Sequence, residues 1–310
     1  MLGTRDPPTD GEHALASREY TEMLASMSPG FADAKDSVAD VRGKFAQIPH
    51  TPVGDDVAVE WEDLAGIRTA WVTPAGVDPS RLLLHAHGGA FVSGVADDYL
   101  NLAERVARAT AARVAVFDYR VAPEHRFPCA VQDFAAIYTA LLERGESPER
   151  IGFAGDSCGG GLAVAALLFL RDAGVRLPAC AVGICAWLDL EASGDSARHP
   201  RGLDPYLDAE WIRCRGRDYV GPGGNTRDPL ASPLYADPKG LPPLFLQCGE
   251  VDLTSDDSVR MAERCRAAGV DVTLDRWPEM MHAFQLIGDG FPEGEEARAR
   301  FGAFVRAQIP

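Results

Sequence analysis

Arg150-Ile151-Gly152-Phe153-Ala154-Gly155-Asp156-Ser157-Cys158-Gly159-Gly160-Gly161-Leu162-Ala163 is the stretch on which the reading of this chain turns. A short apolar run leads into Gly155-Asp156-Ser157-Cys158-Gly159, and a long apolar segment follows as far as Leu170, so the pattern is strand, sharp turn, helix. A G-x-S-x-G pentapeptide at such a junction is a nucleophile elbow. It holds the serine in a strained backbone conformation, and its small neighbours let strand and helix approach closely. Ser157 is the candidate nucleophile. The same pentapeptide also occurs as a plain tight turn, so the rest of the chain has to supply the context.

The 310 residues suffice for one large α/β domain with additions, and 46% hydrophobic with 25% charged residues is the composition of a packed globular chain. A formal net charge of -16 repels phosphate backbones and anionic lipid surfaces, so neither nucleic acid nor membrane is an expected partner. Seven cysteines, an odd number without C-x-x-C spacing, read as free thiols of a reducing compartment. Met1-Leu2-Gly3-Thr4-Arg5-Asp6-Pro7-Pro8 has neither a basic start nor an apolar stretch, and no window approaches the ~18 apolar residues of a span. The expectation is a soluble, cytoplasmic protein.

Residues 1–50 are polar, with helix-compatible pieces at Ala14–Ser26 and Ser37–Ile48, and read as N-terminal cap helices. From Val57 onward come eight short apolar runs: Val57–Trp61, Ile67–Val72, Leu82–His85, Arg113–Phe117, Ile151–Ala154, Cys180–Ala186, Leu244–Gln247 and Val272–Arg276. From the third run on they alternate with helical segments at Tyr99–Thr110, Ala130–Arg144, Gly159–Ala173, Ser255–Ala268 and Glu295–Ala307. Such alternation predicts an α/β fold with a mostly parallel, twisted, eight-stranded sheet and helices on both faces. The connection from Leu190 to about Pro242 is long, carries its own helix candidate at Ala209–Tyr219, and reads as a lid or binding segment. The expected organisation is core at 51–190 and 231–310, with a cap built from 1–50 and the insertion 191–230.

A serine hydroxyl needs a histidine base within hydrogen-bond reach, oriented by a carboxylate. His282 follows the last predicted strand in a turn-like stretch, Pro278-Glu279-Met280-Met281-His282, and is the candidate base. The acid belongs after the preceding strand, where Cys248-Gly249-Glu250-Val251-Asp252 offers Asp252, with Glu250 as a rival. Asp256 and Asp257 sit where they can cap and charge the first turn of the next helix. For the oxyanion, His87-Gly88-Gly89-Ala90 follows the third strand. The amides of Gly88, Gly89 and Cys158 are the candidate donors, and His87 ties the loop down. The Cys158 thiol is a weaker nucleophile candidate, because the residue after the elbow serine turns into the fold. No metal or other cofactor is called for. An unperturbed histidine titrates near ~6.5, so activity is expected to fall below about that pH.

These residues resemble the hormone-sensitive-lipase-like group of α/β-hydrolases, the bacterial group IV esterases, in the subgroup with a Gly-Asp-Ser elbow. The likeness runs from about residue 80 to 286. It rests on His87-Gly88-Gly89-Ala90-Phe91, Asp118-Tyr119-Arg120-Val121-Ala122-Pro123-Glu124-His125 with Phe127-Pro128 and Asp133, and Gly155–Gly160. Further along it includes Trp187-Leu188-Asp189-Leu190, Ser232-Pro233-Leu234-Tyr235-Ala236-Asp237 and Trp277-Pro278-Glu279-Met280-Met281-His282. The resemblance implies an α/β-hydrolase fold with a helical cap, serine carboxylesterase activity on small to medium acyl esters through an acyl-enzyme, no metal, and dimerisation through an edge strand. The chain departs from the family at Cys158, where alanine is usual, at Ala90, where a third glycine is frequent, and at Thr254, where leucine is usual. The Ala122-Pro123 and Phe127-Pro128 bonds are candidates for the cis form. Two other readings stay open: a lactonase, deacetylase or lyase using the same three side chains, and a non-catalytic small-ligand binder on the same fold.

Overall fold

The protein is described by a computed structural model covering residues 16–27, 31–48, 51–202 and 204–310. Its strands are β1 (Val57–Leu64), β2 (Ile67–Pro74), β3 (Asp78–Ala86), β4 (Ala112–Phe117), β5 (Ile151–Asp156), β6 (Cys180–Ile184), β7 (Leu244–Gly249) and β8 (Val272–Trp277). The helices are α1 (Arg18–Ser26), α2 (Val38–Phe45), α3 (Leu100–Thr110), α4 (Cys129–Glu143), α5 (Cys158–Asp172), α6 (Asp195–Arg198), α7 (Ala209–Val220), α8 (Ser255–Ala267) and α9 (Pro292–Gln308). The strands form one sheet in the order β1-β2-β4-β3-β5-β6-β7-β8, antiparallel at β1/β2 and β2/β4 and parallel from there on. The predicted eight-stranded, mostly parallel α/β sheet is therefore what the chain forms.

Burial explains the strand composition. Every residue of β5, β6 and β7 is buried, since helices cover both faces, and apart from Asp156 and Gln247 these strands are apolar without alternation. β1, at one edge, alternates between partly buried and exposed positions from Val57 to Glu60, and exposes Glu60 and Trp61 in succession before Leu64 is buried. On one face Phe134, Phe153, Leu162 and Leu167 belong to the main core; on the other, Val106, Val116, Val182, Phe301 and Val305 form a second. Helix α5 is buried almost all round, which is why its sequence shows no polar stripe until Arg171. Among the described residues no helix is long and apolar enough to cross a membrane.

Several boundaries shift for local reasons. β6 stops at Ile184 rather than Ala186, because Cys185 adopts φ 46° and the chain turns so that Trp187 N–H donates to Ser157 O at 2.9 Å. β3 starts at Asp78 through a register irregularity before Leu82, a bulge with no apolar signature. Helix α6 was not predicted; it is a single turn. The start of the Ala14–Ser26 helix expectation lies outside the described residues, and the helix found begins at Arg18 under a Ser17 cap. Both X–Pro bonds named above, Ala122-Pro123 and Phe127-Pro128, are cis.

The N-terminal helices and the insertion meet the core at defined points. Arg42 of α2 donates to Val92 O at 2.7 Å and Ala122 O at 3.0 Å and pairs with Glu124 through both guanidinium termini. Tyr219 of α7 stacks on Phe91 with ring centroids 3.8 Å apart, and Arg215 donates to Asp36 O at 3.0 Å. Tyr20 of α1 packs with Trp277, Met280, Met281, Phe284 and Phe291 in a third apolar cluster.

Candidate active site

Ser157 stands between the last residue of β5 and the first of α5 with φ 54° and ψ -124°, a conformation outside the regions open to ordinary L-residues. The neighbours that permit it are small because the backbone passes so close. A Cβ on Gly155 would come within 2.2 Å of Gly159 O, and one on Gly159 within 2.0 Å of Ala86 O. The strain is anchored by hydrogen bonds on both sides: Ser157 N–H donates to Ile184 O at 2.9 Å, and Ser157 O accepts from Gly160 and Trp187.

The loops after β7 and β8 reach the same edge of the sheet. His282 Nδ1 lies 2.9 Å from Asp252 Oδ1, and both side chains are buried. That oxygen also accepts from Thr254 N–H at 2.8 Å and Thr254 Oγ1 at 2.9 Å. The departure at Thr254 thus supplies a hydroxyl donor to the carboxylate that leucine cannot. Burial works to lower the His282 pKa, but the carboxylates of Asp252, Asp204 and Asp156 outweigh it, and the net shift is upward from 6.5. His282 Nε2 is buried without a hydrogen bond. Ser157 and His282 line one cavity, without a hydrogen bond closed between them. Glu250 lies apart from His282 and pairs with Arg201 and Arg276 at 3.5 and 3.4 Å. Asp256 and Asp257 fall in the first turn of α8 but do not cap it. Asp256 accepts from Ser196 N–H at 3.0 Å, and Asp257 from the N–H groups of Leu188 and Asp189 at 2.9 and 3.0 Å. Asp257 thus fixes the chain leaving β6 and Asp256 the start of α6, long-range roles invisible in a local reading.

The loop after β3 is tight. Gly89 has φ 110°, and a Cβ there would meet Ser93 O at 2.2 Å; at Gly88 it would meet Asp156 Oδ2 at 2.4 Å. The N–H groups of Gly88 and Gly89 meet no acceptor among the described residues, whereas Val92 and Ser93 N–H both donate to Gly89 O. His87 stacks against Tyr119 and Tyr99 at 4.2 and 4.8 Å, with Nδ1 2.6 Å from Gly88 O, and burial lowers its pKa. It is packed as a strut. The Cys158 sulfur is fully buried and turned away from the cavity wall into the fold, where it accepts from Phe91 N–H at 3.3 Å. Burial pushes its thiol up to about 12, the opposite of a reactive thiolate.

A cavity of about 250 Å³ opens above Ser157. The elbow and the Gly88-Gly89 loop form its floor; Phe45, Leu102, Trp187, Tyr206, Leu207 and Trp211 contribute to its walls. Among the described residues, Cys185, Asp252 and His282 have atoms within 4.8 Å of one another, a spacing a metal could use. The imidazole Nδ1 is already committed to Asp252 and burial holds the Cys185 thiol well above its ordinary pKa, so this donor set does not fit a resident ion. The sequence reading missed Thr254 as a partner of Asp252, and it missed Asp204, whose Oδ2 accepts from His282 N–H at 3.3 Å. The chemistry of the acid motif signalled the first; nothing local signalled the second.

The alpha/beta hydrolase fold family matches residues 83–286. An acetyl-hydrolase of Streptomyces hygroscopicus is 42% identical over 256 residues, 82% of this chain and 83% of that protein. A putative acetyl-hydrolase, LipR, of Mycobacterium tuberculosis is 36% identical over 302 residues, covering 95% of this chain and 96% of its own. The crystal structure of an esterase from the bacterial hormone-sensitive lipase family superposes with a TM-score of 0.85 at 39% identity, over 89% of this chain and 93% of that one. The chain belongs to the α/β-hydrolase fold family, in its hormone-sensitive-lipase-like branch of esterases.

Proposed function

We propose that Ser157, His282 and Asp252 hydrolyse small to medium acyl esters by way of an acyl-enzyme. His282 takes the Ser157 proton as the oxygen attacks the ester carbonyl, and the oxyanion is received by the N–H groups of Gly88, Gly89 and Cys158. The tetrahedral adduct collapses to acyl-Ser157 as His282 protonates the departing alcohol. Water, deprotonated by the same imidazole, then releases the acid and regenerates the hydroxyl. Asp252 holds Nδ1–H and balances the imidazolium charge. The observation that carries this reading is the strained serine and the Asp252–His282 pair opening onto one cavity.

The cavity, about 250 Å³ with largely apolar walls, suits a short acyl chain with a modest alcohol. The acetyl-hydrolase relatives point the same way. The N-terminal helices and the insertion 191–230 act as a cap, a role supported by Phe45, Tyr206 and Trp211 among the wall residues. Seven unpaired cysteines support a reducing, cytoplasmic setting. A homodimer remains an expectation of the family likeness.

Ser157→Ala is expected to lower turnover of p-nitrophenyl acetate and butyrate by at least about 10³-fold with unchanged folding. An organophosphonate is expected to add its mass to Ser157 and to no other residue. A Ser157→Ala enzyme with near wild-type turnover refutes the proposal, and lactone opening without ester hydrolysis moves it to the lactonase alternative.

A further inference from the structure

The loop carrying His282 is an unusual piece of backbone. It is bracketed by two left-handed residues, Glu279 at φ 59° and Ala283 at φ 54°, so its position is not fixed by regular secondary structure. Two side chains from outside the strand-helix core grip its amides. Tyr20 Oη of α1 accepts from Met281 N–H at 3.0 Å, and Asp204 Oδ2 accepts from His282 N–H at 3.3 Å. The other Asp204 oxygen accepts from Tyr206 and Leu207 N–H at 2.9 and 3.2 Å, closing a turn of the insertion whose Tyr206 and Leu207 line the cavity. One carboxylate, 6% exposed, therefore joins the cavity wall to the backbone of the candidate base.

We propose that Asp204 is a positioning residue for His282, holding its loop through the backbone amide and supporting the imidazolium with a further negative charge beside those of Asp252 and Asp156. This rests on the reading of His282 as the base. The groups facing the imidazole are Asp252 and Thr254 from the loop after β7, Asp156 from the end of β5, Cys185 after β6, and Asp204 from the insertion. Around Asp204 itself stand His282, Asp252, Tyr20 and Tyr206. Burial raises the Asp204 carboxyl to about 6, with His282 opposing and Asp252 assisting that rise, so it is charged at the neutral to alkaline pH at which the base must be free. A residue that only closed the turn from Asp204 to Leu207 would need neither burial beside His282 nor a bond to its amide.

The test compares Asp204→Asn with Asp204→Glu in the full chain, following kcat/KM for p-nitrophenyl butyrate from pH 5 to 9. Both variants disturb the fit, but only Asn removes the charge. The Asn variant is expected to lose about tenfold at pH 8 and to move its acid limb down by about one pH unit, while Glu keeps the wild-type limb at reduced rate. Should Asn fail to fold, Asp204→Ser serves as the uncharged member. Equal rate losses with all acid limbs coincident would overturn the proposal. Ser157→Ala, made separately in the otherwise unchanged chain, tests the catalytic assignment, so coincident limbs alongside a silent Ser157→Ala control overturn the role of Asp204 alone.

Discussion

Cys158 sits one residue after the candidate nucleophile, and its replacement by alanine separates packing from chemistry there. Two losses can be summed. Phe91 N–H, buried in the loop that presents Gly88 and Gly89, loses its acceptor at 3.3 Å; an unsatisfied buried donor costs about 1–3 kcal/mol. The missing sulfur leaves a void on the order of 20–30 Å³, which at ~24 cal/mol per Å³ adds about 0.6 kcal/mol. The total, about 1.6–3.6 kcal/mol, lowers Tm by about 2–6 °C for a chain of 310 residues at ~2.1 cal/mol/K of unfolding entropy per residue. A lost oxyanion donor costs about 2.7–4 kcal/mol, and the alanine loosens the donor loop without deleting a donor, so kcat is expected to stay within about tenfold of wild type. Thermal unfolding followed by circular dichroism, with p-nitrophenyl butyrate kinetics at 25 °C, measures both. A rate loss as deep as that of Ser157→Ala would make the sulfur a reactant and refute the reasoning. An unchanged Tm would show that the Phe91 bond stabilises nothing.

Gly89→Ala places a Cβ 2.2 Å from Ser93 O in backbone at φ 110°, so the loop must move, and a displaced donor predicts a kcat loss of at least about 100-fold. A variant with near wild-type kcat would remove Gly89 from the oxyanion assignment. The acid limb of kcat/KM is expected above ~6.5, since the His282 pKa is raised and in the proposed mechanism only its neutral imidazole accepts the serine proton; a midpoint below that value contradicts the electrostatic picture. Asp257 is fully buried, and burial, assisted by Asp189, raises its carboxyl well above the ordinary range. The folded chain keeps a proton that the unfolded chain releases, so this group's contribution to stability is present below about pH 3.9 and is lost as pH rises towards the folded pKa. Asp257→Asn lacks that linkage, and its Tm relative to wild type is expected to improve from pH 5 to pH 8; a constant difference would show that the buried carboxyl is already ionised.

What could be read from the chain divides by the range of the interactions involved. The elbow was legible because its requirements are local: glycines at 155 and 159 are forced by backbone atoms a few residues away or on the adjoining strand end. The sheet was legible because strands buried on both faces leave continuous apolar runs, and its edges were less so because β1 and β8 alternate or mix polar residues. The bulge that lengthens β3 and the turn that shortens β6 are backbone events without a composition signal. Asp257 was misread since a carboxylate in a helix's first turn has an ordinary local use, while its actual partners, Leu188 and Asp189, are nearly seventy residues earlier in the chain. Asp204 carried no signal at all, because its partner is an amide, which every residue but proline possesses.

The placement of charge around His282 also gives the acidic composition a local meaning that net charge alone lacks. A buried imidazole would ordinarily be a weakened base, since desolvation disfavours its cation. Three carboxylates, Asp252 in hydrogen-bond contact and Asp204 and Asp156 farther off, reverse that balance. Each comes from a different element: the loop after β7, the insertion, and the end of β5. A base strengthened in this way draws the serine proton more readily, but it is also protonated at a higher pH, so the gain is realised only on the alkaline side of neutrality. The carboxylate contributed by the insertion is the one the core does not fix. In the proposed mechanism the strength of the base therefore depends on how the turn from Asp204 to Leu207 seats against the His282 loop, and that turn is also part of the cavity wall.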